Sequence, residues 1–202
     1  MIFLAKIVSY LFHPVILFFF MPFLVVYRQT SNSWYAIKWQ IFSSVFLFVT
    51  IVLMTVATML GVFSDVDVKH KEERKRFYLL VSCVMIVYLL SAIFFKGIFF
   101  PLSLIAASVV VCAGILEIVS QHTRAKVSVH LTTACAFVTS LVILYGIHTL
   151  LFSFWIIPLL AWSRIKLKHH SFSEVLIGAF VGTVMTILTF LGAKTLYNGR
   201  VW

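Results

Sequence analysis

His170 and Glu174 stand four residues apart, and a helix beginning near them places both side chains on one face. A carboxylate at that spacing accepts the Nδ1 proton of an imidazole, fixes its tautomer and leaves Nε2 as a lone-pair nucleophile or base. Arg164, with five residues between it and His170, offers a planar fork suited to phosphate oxygens. A second imidazole, His130, follows the hydroxyl of Ser128 with one residue between them. Lys69 and Arg76, separated by six residues, add two permanent cations. Brought together, these groups make a phosphoryl-transfer site: cations and donors for the equatorial oxygens, one histidine to attack and one to protonate the leaving oxygen.

The elements that must position them belong to a membrane. Of 202 residues, 62% are hydrophobic and 11% charged, with a mean hydropathy of +1.10, which excludes a soluble globular protein and a disordered chain alike. A disulfide scaffold is excluded too, since Cys83, Cys112 and Cys135 all fall inside apolar runs. A hydrocarbon core needs about 20 apolar residues as helix, and the chain offers seven such stretches: 4–26, 41–63, 77–95, 98–119, 129–147, 149–162 and 175–197. The first contains Pro14 and Pro22, which predict a kink, and it is read as a retained span because no small-residue cleavage site follows. Lys96 and Gly97 leave room only for a tight hairpin between the third and fourth spans. Residues 131–162 are short for two full crossings, so either the fifth and sixth segments form a shallow hairpin or their boundaries lie elsewhere. The expectation is one all-α domain over residues 1–202, a polytopic transmembrane bundle of six to seven segments.

Residues 64–76, 120–128 and 163–173 follow the second, fourth and sixth segments, and therefore open on one membrane face. They hold ten of the sixteen cations, among them Lys69, Arg76, Arg124, Lys126 and Arg164, together with His70, His122, His169 and His170. With Lys6, the positive-inside count is eleven on this face against five on the other, which points to the cytoplasm; subtracting Lys69, Arg76 and Arg164, which catalysis explains, narrows it to eight against five. The basic residues are split among short loops, with no segment long enough for a groove-reading helix or a stacking platform, so nucleic acid is excluded as a partner.

The three stretches resemble the three motifs of the type 2 phosphatidic acid phosphatase (PAP2) superfamily of membrane lipid phosphatases. Lys69 to Arg76 matches the first, Val127-Ser128-Val129-His130 the second, and Ser163-Arg164 through His170 to Glu174 the third, in order and internal spacing. Phe77 stands where the family has proline, Val127 and Val129 where it has proline and glycine, and Glu174 where it has aspartate. The resemblance spans about residues 69–174. It implies a phosphohistidine formed on His170, oriented by Glu174, with His130 as acid and then base, and Lys69, Arg76, Ser128 and Arg164 holding the phosphoryl oxygens. It implies no metal and no cofactor, since fixed cations neutralise the transferring group. The substrate is then a lipid phosphate or diphosphate within the cell membrane: phosphatidate, phosphatidylglycerophosphate or polyprenyl diphosphate. Many family sites face outward, so the side of the site stays open.

Plainer readings stand beside this one. Ser171 and Glu174 fit a capping box, and Lys69 to Arg76 fits a basic stretch lying on anionic membrane lipids. Asp65 and Asp67 suggest a metal-dependent lipid transferase, a reading that leaves His130, His170 and Glu174 without a role. The motif departures suit a degenerate member that binds lipid or serves a transporter. Gly178 and Gly182 form a G-x-x-x-G stripe that predicts close packing within the bundle or, second, a homodimer.

Overall fold

The computed structural model describes residues 1–65, 68, 70, 72–94, 109–119 and 126–196, and every regular element among them is helical. The first expected span divides in two, α1 (Ile2–Leu11) and α2 (Pro14–Thr30). Pro14 brings no amide and biases the preceding residue toward extended backbone; His13 adopts φ −64° and ψ 141°, and its Nδ1 accepts the Val15 amide at 3.3 Å as the N-cap of α2. Pro22 lies inside α2 without ending it.

The second span, α3 (Ser33–Met59), starts eight residues before the expected boundary at residue 41. Asn32 caps it, accepting the Tyr35 amide at 3.0 Å, and the polar first turns carry Trp34 and Lys38, side chains suited to an interface. Then come α4 (Arg74–Phe94) and α5 (Val109–Val119). The hairpin expected at Lys96 and Gly97 lies outside the described residues.

The fifth segment is α6 (Val129–Tyr145), about 25 Å at about 1.5 Å per residue. It ends at Gly146, whose φ of 94° suits glycine and turns the chain through a 3-10 turn (Ile147–Thr149) into α7 (Leu150–Ser153) and α8 (Ile156–Lys166). The return limb begins earlier and runs four residues beyond the expected end at residue 162. Taken as residues Ile147–Lys166 it is 20 residues, about 30 Å. The shortage of length therefore came from the boundary, and Arg164 sits on a helix instead of in a loop. The last helix is α9 (Phe172–Leu196).

Among the described residues, four helices are long and apolar enough to cross a membrane: Ile2–Thr30 taken across its break, Ser33–Met59, Ile147–Lys166 and Phe172–Gly192. α5 and α6 are shorter apolar helices. α6 is the hub of the packing, meeting α2, α8 and α9. Its buried residues run all round it, from His130, Leu131 and Thr132 to Ser140 and Leu144. Backbone approaches backbone between α6 and α9: a Cβ on Gly178 would lie 2.7 Å from the Ser128 carbonyl, and one on Gly182 would collide with the Thr132 carbonyl. The glycine stripe is thus occupied by α6 of the same chain. In lipid, where apolar surface gives helices little reason to associate, such contact supplies the dispersion that holds them. Buried hydroxyls bond backward along their own helices, Thr132 to the Ser128 carbonyl at 3.0 Å and Thr186 to that of Gly182 at 2.7 Å.

Candidate active site

Glu174 in the first turn of α9 ties three segments together. Its Oε2 accepts the Ser171 amide at 2.9 Å while the Glu174 amide reaches the Ser171 hydroxyl at 3.4 Å, a complete capping box. Its Oε1 accepts the Lys126 amide at 2.6 Å, and its carbonyl accepts the Ser128 amide at 3.3 Å. The same Oε2 lies 3.4 Å from His170 Nδ1. The carboxylate that closes the capping box is thus also the one that faces His170.

His170 precedes α9 and its side chain is 3% exposed. The nearest acceptor of its Nδ1 is the Lys126 carbonyl at 2.9 Å, with the Glu174 carboxylate behind it. Two acceptors facing Nδ1 require the proton there, so Nε2 carries the lone pair. Burial, then the positive charges of Arg164 and Arg74, lower its pKa from 6.5 to about 4, against the opposing pull of the Lys126 carbonyl. The imidazole is neutral at physiological pH, with its lone pair on Nε2.

Arg164 is buried at 4% exposure, and its Nη1 donates to Ser9 Oγ on α1 at 2.8 Å. The adjoining Ser163 hydroxyl donates to the Ala5 carbonyl at 2.6 Å. These two bonds place α1 alongside the C-terminal end of α8, at the motif end of the bundle. Ser128, with no exposure, is the N-cap position of α6, and its hydroxyl makes no hydrogen bond among the described residues. His130, in the first turn of α6, is also buried and meets the ring of His13 edge to face, centroids 5.0 Å apart.

The first motif divides. Lys69 lies outside the described residues. Arg76 is exposed, with Nη1 3.4 Å from the Val62 carbonyl. Arg74, two residues earlier, is the arginine of this stretch that joins the site: it is 5% exposed, donates to the Val127 carbonyl at 2.7 Å, and acts electrostatically on both His170 and Glu174. Its Nε is enclosed with no hydrogen bond among the described residues. Arg74, Ser9, His13 and the main chain of Lys126 are the members that motif spacing missed. A signal for Arg74 was present in Tyr78, four residues on, a polar aromatic buried on the same side of α4. Glu117 of α5 lies within electrostatic reach of that tyrosine.

The structure thus gathers His170, Glu174, Arg164, Ser128 and His130 at one end of α6, and adds Arg74. Two buried guanidiniums, an enclosed hydroxyl and a neutral imidazole suit a tetrahedral oxyanion. A shallow cleft lined by Tyr27, Arg28, Ser31 and Tyr145 lies at the opposite end of α6, where Arg28 Nε donates to the Leu144 carbonyl at 2.6 Å. Asp67 is outside the described residues, and among those described no three His, Cys, Asp or Glu side chains cluster to hold a metal ion. No family model, no curated protein and no solved structure matches this chain.

Proposed function

We propose that this chain is a polytopic membrane phosphatase of the PAP2 kind, in which α4, α5 and α6 cross the bilayer alongside the four longer spans. It releases phosphate from a lipid phosphomonoester or diphosphate whose tail remains in the bilayer. The observation that carries this reading is His170: a buried imidazole with Nδ1 committed to the Lys126 carbonyl and Glu174, Nε2 left as the lone pair, and two arginines close enough to depress its protonation.

His170 Nε2 forms a bond to phosphorus as the bond from phosphorus to the leaving oxygen breaks, and His130 supplies that oxygen with a proton. Water then attacks the phosphohistidine, giving its proton to His130 and returning His170 with inorganic phosphate. Arg164, Arg74 and Ser128 hold the phosphoryl oxygens through charge-assisted bonds, in which Arg74 takes the place that spacing gave to Arg76. Because Ser128 has no exposure, lipid entry requires the elements around it to part. Phosphate release from phosphatidate, phosphatidylglycerophosphate and polyprenyl diphosphate in detergent, with and without chelator, tests the reading. Chelator-resistant release that His170→Ala removes is the expected result. Release that depends on magnesium and survives His170→Ala would instead assign the chemistry to Asp65 and Asp67, and no release from any of the three lipids would leave a lipid-binding protein.

A further inference from the structure

The corner between α1 and α2 brings a third histidine to the site. His13 meets His130 with ring planes 87° apart and centroids at 5.0 Å. Its orientation is set from the backbone: Nδ1 accepts the Val15 amide at 3.3 Å, which requires a lone pair there and places the ring proton of the neutral form on Nε2. Pro14 makes the corner rigid, since it holds His13 extended and locks the first turn of α2. α2 then packs directly on α6, the helix that carries His130. The adjoining turn of α1 holds Arg164 through Ser9, so the same corner reaches two site residues.

We propose that His13 is a positioning residue for His130, a backbone-anchored imidazole whose ring fixes the rotamer and orientation of the acid–base histidine. A ring anchored to the backbone in this way offers His130 a fixed surface to pack against. The role as a positioning residue in catalysis rests on the phosphatase reading above, while the pairing of the two rings does not.

His13→Asn tests it, because asparagine keeps a capping oxygen for the Val15 amide and removes the ring. His13→Ser, another capping residue, serves as the second variant if the first does not fold. The expected result is a kcat for lipid phosphate reduced about 10- to 100-fold, as for a small misplacement of a reacting group, with KM changed less than about twofold and the melting temperature unchanged. In 15N spectra of histidine-labelled protein in detergent, the imidazole signals of His130 move and those of His170 stay. Unchanged kcat together with unmoved His130 signals overturns the proposal. If the parent protein releases no phosphate, the phosphatase reading fails by itself, and the His130 signals alone decide whether the ring pairing stands.

Discussion

At the scale of single residues, the site is governed by what surrounds one imidazole. His170 stays neutral down to about 4 in the fold, against 6.5 for the free side chain, because it is buried and faces two guanidiniums. As pH falls between those values the unfolded chain binds a proton that the fold refuses. The stabilisation is therefore complete above 6.5 and lost as pH falls toward about 4. The melting temperature in detergent should drop over this window, and His170→Asn should flatten the drop; equal slopes for the two proteins would contradict the burial account. Activity should keep its acid limb near the lower value. Arg74→Gln should reduce kcat/KM by at least about 100-fold, as expected for a lost oxyanion donor. Arg76→Gln, at an exposed position, should change it by less than about threefold. Equal losses for the two arginines would return Arg76 to the site. Spacing favoured Arg76 because a count of residues carries no helical phase, whereas about 100° per residue sets positions 74 and 76 about 200° apart on α4.

Helices decide whether those residues meet. α9 delivers Glu174 to Lys126 and Ser128 only because its glycine stripe lets it lie against the α6 backbone. Gly182→Ala should therefore destabilise the protein by about 1–3 kcal/mol through overpacking, whereas Gly192→Ala, with open space around it, should leave the melting temperature unchanged. A comparable loss at both glycines would contradict the contact account, because alanine is the better helix former and propensity alone predicts no loss at either position. The intramolecular reading of Gly178 and Gly182 was legible in the sequence, because small residues four apart have a direct geometric meaning on a helix. The start of α3 and the end of α8 were not. Hydropathy stops where polar residues begin, while a helix stops where its hydrogen bonds and caps do, so Asn32 and Lys166 lay beyond what apolar runs reveal.

Over the whole molecule, the helical class and membrane residence follow from composition, and the meeting of the second and third motifs follows from their shared sidedness. The contribution of residues before the first motif was hidden, since nothing in the local sequence around Ser9 or His13 announces a partner more than a hundred positions away. The site and the Arg28 corner sit at opposite ends of α6. In a cysteine-free background, Ser31→Cys and Ser171→Cys should accordingly react with a membrane-impermeant maleimide from opposite sides of sealed vesicles; reaction from one side would refute the transmembrane placement of α6. The carboxylate of Glu174 grips the amides of Lys126 and Ser171, one with each oxygen, and thereby works as a latch. Fraying of the first turn of α9 and release of the chain at Lys126 become a single event, so those two amides should exchange their hydrogens for deuterium in step.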